Sequence, residues 1–250
     1  MNSFGKNSEE GRILKAVVMA GGLGLRLRPL TSIIPKPLLP LGDRNVVEVG
    51  LMNLAKAGVT EVIMCINYMS EYFESHFEEK PPENLKISFS KESSQLGTAG
   101  PLALIKERLS EPFIVVNGDI LTNLNFSKFY KTFKDRKFDM LVGTKIIDLP
   151  MSYGVVDSNG DSIISVKEKP CIQTEVVAGI YCLSPHILNW IPDGQSFQMT
   201  DLLQLVLKRG KLGRFLIEDY WLDIGHMENY EKAKQDAQEL PFLQKVTAAI

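Results

Sequence analysis

AVVMAGGLGLRLRPLTSIIPKPLLPLGD, residues 16–43, decides how this chain reads. Extended back to residue 13, its apolar start (ILKAVVMA, 13–20) stops at Gly21, Gly22 and Gly24. An apolar run this short, ended by glycines, predicts a buried parallel strand. Glycines directly after a strand either make a tight turn or let backbone N–H groups approach a phosphate. Arg26 and Arg28 follow, and Lys36 stands between Pro35 and Pro37. Proline fixes its own φ and biases the preceding residue toward extended backbone, so Lys36 is presented with little freedom left to lose. Glycines, arginine and a constrained lysine together describe a polyphosphate cradle. A dinucleotide fingerprint anchored on Gly22 and Gly24 would need glycine where Leu27 stands, which counts against a nicotinamide-dependent dehydrogenase. The Gly-Lys-Ser/Thr of a Walker loop is also absent.

Outward from this stretch, strand and helix patterns alternate. Helical spacing marks 46–58, 68–77, 100–109 and 126–137, and short apolar runs mark strands at 61–67, 85–90, 112–119 and 138–147. That alternation predicts an open, mostly parallel α/β sheet that binds ligands at the carboxyl ends of its strands. Past residue 147 it loosens. The segment 153–170 predicts a hairpin around Ser158-Asn159-Gly160, 175–184 a strand, and 186–191, 199–210 and 226–240 helices. No linker or repeat interrupts the chain. The expectation is one domain over 13–240 between a flexible tail at 1–12 and a second tail at 241–250, its second half packed over the mouth of the sheet.

Composition excludes several classes. A formal net charge of −2 leaves no broad basic surface for nucleic acid. No apolar stretch approaches a membrane span, and residues 1–12 lack the apolar core of a secretion signal. Cys65, Cys171 and Cys182 show neither CxxC nor zinc spacing, and the first and last lie in apolar runs, as reduced core thiols do. The expected setting is cytoplasmic.

The opening stretch resembles the signature of the sugar-1-phosphate nucleotidylyltransferases, approximately GGxGTRLRPLT, a spacer, then KP. LGTAG (96–100), NGD (117–119), YGVV (153–156), EKP (168–170), AGIY (178–181) and WLDIG (221–225) resemble further family blocks in the same order, over roughly residues 13–235. The resemblance implies a three-layer α/β fold: a mostly parallel, Rossmann-like sheet flanked by helices, with sugar-binding elements inserted in the second half. It also implies a Mg²⁺-dependent reaction joining a nucleoside triphosphate to a sugar 1-phosphate, releasing pyrophosphate, for cell-surface polysaccharide or glycan biosynthesis. The sugar phosphate is already anionic near neutral pH, so the chain needs electrostatic groups rather than a serine or cysteine nucleophile.

By that resemblance Arg26, Lys36 and Asp119 are catalytic, and Ala20, Gly21, Gly22, Gly24, Glu92, Gly97 and Thr98 bind the nucleotide. Gly154, Glu168, Lys169 and Gly179 bind the sugar phosphate. Asp119 and Asp223 hold Mg²⁺, an ion that favours oxygen ligands and usually keeps only one or two protein carboxylates. Arg28 reads equally well as a solvent-exposed charge. Guanine offers adjacent N–H donors that the Glu92 carboxylate matches, so the segment 91–104 leans toward GTP and resembles the guanylyltransferase branch, including the mannose-1-phosphate enzymes. Gln95 could instead meet a pyrimidine edge, which keeps UTP, dTTP and CTP open.

Three positions depart from the family pattern: Leu25 replaces threonine or serine, Asn45 a proline and Val177 an asparagine. They raise the alternative of a weakened member acting as a regulatory or binding subunit. Against it stand Arg26, Lys36, Asp119 and Asp223, all retained. A homodimer is the expected assembly.

Overall fold

The computed structural model describes residues 15–243, so the 1–12 tail and most of the 241–250 tail lie outside the described residues. In chain order the first half holds β1 (Lys15–Met19), β2 (Pro40–Leu41), β3 (Arg44–Asn45), α1 (Val46–Lys56), β4 (Glu61–Ile66), α2 (Ser70–Glu79), β5 (Lys86–Lys91), β6 (Phe113–Asn117) and β7 (Ile120–Thr122). The second holds α3 (Phe126–Arg136), β8 (Met140–Pro150), β9 (Val155–Asn159), β10 (Ser162–Lys167), β11 (Cys171–Leu183), α4 (Met199–Arg209), β12 (Leu212–Leu216), β13 (Trp221–Asp223) and α5 (Met227–Glu239).

Among the described residues a seven-stranded sheet runs in the order β12-β8-β11-β6-β1-β4-β5. Only β11 is antiparallel to its neighbours, and the remaining pairings are parallel. Side chains alternate across each strand, so β1 sends Ala16 and Val18 to one face and Val17 to the other. The first face packs with Leu51 and Leu54 of α1, Phe73 of α2 and Phe129 of α3. The second packs with Leu102, Ile105, and Leu202 and Val206 of α4. Burial of side chains of this size contributes about 1.5–3 kcal/mol each, and two such faces hold three layers together.

The observed fold differs from the expectation in three places. Much of the second half does not sit over the mouth of the sheet: β8, β11 and β12 extend the same sheet sideways, and β13 with the starts of α4 and α5 returns to its mouth. The segment expected as a helix at 100–109 is a 3₁₀ helix over Gly100–Arg108, and the one at 186–191 is 3₁₀ over Pro185–Trp190. In the first, the buried apolar spacing Leu102, Ile105, Leu109 fits either helix, because positions three apart share a face in both, so periodicity alone does not separate them.

Asn45 also finds its explanation here. Its side chain caps α1 by accepting from the Glu48 N–H (3.0 Å), while the Glu48 carboxylate accepts from the Asn45 N–H (2.9 Å). This reciprocal box satisfies two orphan donors, something proline could not do.

β8 and β11 continue past the sheet. β12 pairs β8 only up to Thr144, and β6 pairs β11 only from Ile180. Beyond those points the two strands pair with each other alone and carry the β9–β10 hairpin, turned at Gly160 (φ 59°). A register shift between Val177 and Tyr181 marks the junction, with Gly179 at φ 70°. No helix among the described residues is long and apolar enough to cross a membrane.

Candidate active site

A cavity of about 400 Å³ opens at the carboxyl ends of β1 and β6. Its floor is the run that opens the sequence. β1 ends at Met19, and Ala20 through Leu25 then cross the mouth of the sheet. Gly24 has φ 61°, and a Cβ there would lie 2.9 Å from Thr31 Cγ2 and 3.3 Å from Lys36 Cβ. Glycine is therefore required both by backbone and by space. The Thr31 hydroxyl donates to the Gly24 carbonyl (2.8 Å), which ties the loop to the proline-rich segment behind it. Leu25, where the family carries a hydroxyl, lines the cavity and is 55% exposed.

Buried Pro35 and Pro37 hold Lys36, whose side chain turns into the cavity and forms an ion pair with Asp119. Leu27, Leu39 and Leu41 anchor this segment in a separate apolar cluster with Leu121, Leu222, Ile224 and Tyr230. That cluster also joins the two acids. β7 and β13 pair antiparallel, with Asp223 opposite Ile120, and the Ile224 N–H donates to the Asp119 carbonyl (3.0 Å). Residues distant in sequence thus place two carboxylates side by side.

Their electrostatics are unequal. Burial first, and then the Asp119 carboxylate, lift the Asp223 carboxyl above its ordinary value; Lys36, Arg26 and His226 pull it back. Asp223 Oδ1 is buried without a hydrogen-bond partner. Such an orphan is costly in a protein interior, and a hard divalent cation is a group that two adjacent carboxylates fit. Among the described residues no group of three or more His, Cys, Asp and Glu side chains could cage a metal. The remaining coordination positions would fall to substrate oxygens and water, as is usual for magnesium.

Arg26 adjoins this pair from outside the cavity lining. Its Nη1 lies within hydrogen-bond distance of His226 Nε2 (2.6 Å), and a Cβ on Gly225 would lie 3.1 Å from Nη2. His226 is absent from the sequence-based set. The only signal was its place directly after WLDIG. Arg28 is exposed.

On the opposite wall stand Glu92, Gln95, Gly97 and Thr98. Glu92 Oε2 accepts from the Leu96 N–H (3.0 Å), and Oε1 lies 2.7 Å from where a Gly21 Cβ would be. The carboxylate therefore braces the glycine loop as well as facing the cavity. Burial lifts its carboxyl above the ordinary value, against the hydrogen bonds from Leu96 and Asn67. Gly97, at φ 79°, makes room for Phe197 and Gln198 rather than opening toward the cavity alone, since both would lie 2.7 Å from a Cβ. The Thr98 N–H and hydroxyl both donate to Gln198 Oε1 (3.3 and 3.2 Å), and the Thr98 oxygen accepts from the Met199 N–H (2.7 Å).

The sugar-phosphate candidates are divided. Gly179, buried beneath the cavity, would place a Cβ 2.7 Å from the side-chain amide of Asn117, a lining residue without a sequence-based role. Gly154, Glu168 and Lys169 lie together on the projecting hairpin. A Gly154 Cβ would be 3.3 Å from Glu168 Oε2, and all three are exposed and away from the cavity lining. Val177 lies at the base of the same projection, 44% exposed.

A family model described as Nucleotidyl transferase matches residues 15–239, the span that holds every one of these groups. The chain belongs to the nucleotidyl transferase family. Mannose-1-phosphate guanyltransferase of Aspergillus oryzae is 33% identical over 226 residues, covering 87% of this chain and 62% of that protein. The mannose-1-phosphate guanylyltransferase catalytic subunit beta of Danio rerio is 34% identical over 225 residues, with the same coverage. The chain thus spans about 62% of the length of the curated relatives it matches. Among solved structures, HddC from Yersinia pseudotuberculosis complexed with GMP-PN superposes with a TM-score of 0.72 at 28% identity, covering 90% of this chain and 99% of that one. A putative glucose-1-phosphate thymidylyltransferase from Bacillus anthracis reaches a TM-score of 0.75 at 23% identity, covering 91% and 96%, a likeness of fold.

Proposed function

We propose that this nucleotidyl transferase moves a guanylyl group from GTP to a sugar 1-phosphate, producing a GDP-sugar and pyrophosphate in the cytoplasm. The observation that carries the reading is the meeting of Asp119, Asp223 and Lys36 at the edge of a glycine-floored cavity. The relatives named as guanylyltransferases and the GMP-PN complex of HddC support guanine as the base.

A phosphate oxygen of the sugar attacks the α-phosphorus in line. The new P–O bond forms as the bond from the α-phosphorus to the bridging oxygen breaks, and that electron pair leaves with pyrophosphate. Catalysis then consists of alignment and charge neutralisation. Mg²⁺ held by Asp119 and Asp223 would draw charge from the phosphate oxygens. The N–H groups of Gly21 to Gly24 and the Lys36 ammonium receive the triphosphate, and Arg26, held by His226, faces the same charge. Lys36 is shared between Asp119 and the phosphates, so it is both a contact and a counter-ion. Glu92, Gln95, Gly97 and Thr98 form the wall for the base. The hairpin bearing Gly154, Glu168 and Lys169 serves the sugar phosphate.

The test is pyrophosphate release from GTP, UTP, dTTP and CTP, each against a panel of sugar 1-phosphates with Mg²⁺. Turnover with GTP and one sugar is expected. Turnover with another nucleotide alone overturns the base assignment, and no turnover with any pair overturns the catalytic reading in favour of a binding subunit.

A further inference from the structure

Gly97 and Thr98 stand in the cavity wall, on a loop tied to a segment 100 positions further along the chain. The Phe197 N–H donates to the Leu96 carbonyl (2.8 Å), and the Phe197 carbonyl accepts from the N–H groups of Ala99 (2.9 Å) and Gly100 (3.0 Å). At φ 79°, Gly97 runs so close to this segment that a Cβ would sit 2.7 Å from both the Phe197 carbonyl oxygen and Gln198 Nε2. An irregular loop has no ladder of its own, so its shape follows the groups that satisfy its backbone.

One tie in this set comes from a side chain of the distant segment. Gln198 Oε1 accepts from both the Thr98 N–H (3.3 Å) and the Thr98 hydroxyl (3.2 Å). A backbone N–H can only donate, which fixes the carboxamide with its oxygen on Thr98 and its nitrogen beside Gly97. The Thr98 oxygen in turn accepts from the Met199 N–H (2.7 Å) at the start of α4. Helix capping does not account for the Gln198 side chain. The Asp201 N–H donates to the Gln198 main-chain carbonyl (3.0 Å), and the Asp201 carboxylate accepts from the Gln198 N–H (3.0 Å). The carboxamide is therefore left to Thr98. Gln198 itself is exposed and lies behind the cavity lining rather than in it.

From these observations we infer that Gln198 is a positioning residue for the nucleotide wall: its carboxamide oxygen holds Thr98, and with it Gly97, in the form that receives the nucleoside end of the triphosphate. The inference rests on the proposed function, which gives this wall to the base. Acting from behind the wall, Gln198 serves binding rather than the chemical step. Loss of an interaction that is equal in ground and transition states raises KM and leaves kcat unchanged. Two substitutions separate the oxygen from the nitrogen. Gln198→Glu keeps an acceptor where Oε1 lies and removes the N–H donors, whereas Gln198→Met keeps the unbranched length and removes the acceptor.

The test is calorimetric titration of GTP, UTP, dTTP and CTP, with Mg²⁺, into wild type and both variants, alongside pyrophosphate-release kinetics. For the nucleotide that wild type binds, Gln198→Met is expected to raise Kd and KM by about 2–10-fold, the reach of one neutral hydrogen bond, with kcat unchanged. Gln198→Glu is expected to restore both constants. Wild-type affinity in Gln198→Met, an equal loss in Gln198→Glu, or a fall in kcat at constant KM overturns the inference. Amide exchange over 97–100 in the free protein reads the positioning with no nucleotide present. Faster exchange in Gln198→Met, slowed again in Gln198→Glu, is expected against unchanged sheet amides, and one common rate in all three proteins overturns the inference. Should the sheet amides of Gln198→Met also exchange faster, Gln198→Ala takes its place. A wild type that binds none of the four nucleotides sinks the proposed function, and the exchange comparison then decides Gln198 by itself.

Discussion

Asp119 and Asp223 meet because three residues of β7 pair with three of β13, and the Ile224 N–H closes the arrangement on the Asp119 carbonyl at 3.0 Å. Backbone and the Leu121–Leu222 packing hold the pair, not the carboxylates themselves. Asp119→Asn and Asp223→Asn are therefore expected to lower kcat by about 10²–10³-fold or more while leaving the circular dichroism of the folded chain unchanged. Steady-state pyrophosphate release measures this. Rates within a few-fold of wild type in both variants would remove the acids from the chemistry.

The elevated Asp223 carboxyl carries a stability consequence of definite sign. Folded Asp223 keeps its proton to higher pH than an unfolded aspartate with its ordinary value of 3.8. The folded chain thus binds the extra proton, and stability is fully present below that value and is lost as pH rises through the folded one. Asp223→Asn cannot ionise. Without Mg²⁺ it is expected to melt above wild type at pH 7.5, with the gain shrinking toward pH 4. Thermal melts across that range provide the check, and a gain that does not vary with pH would contradict the electrostatic cause.

Two glycines predict opposite outcomes. Gly50 lies inside α1, where a Cβ meets nothing within 4 Å, so Gly50→Ala is expected to stabilise by about 1 kcal/mol, or roughly 2–4 °C in Tm. Gly179 has φ 70°, and its Cβ would meet Asn117 Nδ2 at 2.7 Å. Gly179→Ala is expected to cost at least about 1–2 kcal/mol through left-handed backbone strain, and to displace Asn117 from the cavity wall. Calorimetry of the two variants compares them directly.

Thiol reactivity should separate the three cysteines. Burial pushes the Cys65 thiol up to about 12 and that of Cys182 well above its usual range, whereas Cys171 is exposed on the projection. Only the thiolate reacts, so one equivalent of an aromatic disulfide reagent is expected to be consumed rapidly by the native protein and three after denaturation. Fast loss of more than one thiol in the native state would show that the core opens.

Much of this architecture was legible because it is written locally. The apolar runs at β1, β4 and β6 and the helical spacing of α1 and α3 are periodic, and periodicity survives in a single sequence. The 3₁₀ run after LGTAG was less so, since three- and four-residue spacings overlap over so few turns. The position of β11 between β6 and β8 leaves no local trace, because its neighbours lie far away in the chain. For the same reason the partnership of Asp119 with Asp223 could be expected only from the order of motifs. Gly97 shows another limit: the resemblance assigns it to the nucleotide, and nothing local announces that its left-handed backbone (φ 79°) also makes room for Phe197 and Gln198. His226 reaches Arg26 through the start of α5, a relationship no spacing announces.

The location of β11 bears on how the protein is made. β6 is synthesised with one flank against β1, but its other flank is the site for residues 180–183. At about 5–20 residues per second, translating the intervening stretch takes roughly 3–13 s. For that interval a ribosome-bound chain carries Phe113–Val116 as a bare, hydrophobic ledge. Recombinant yield should thus respond to elongation speed and to chaperone supply during synthesis, even where the finished protein is robust.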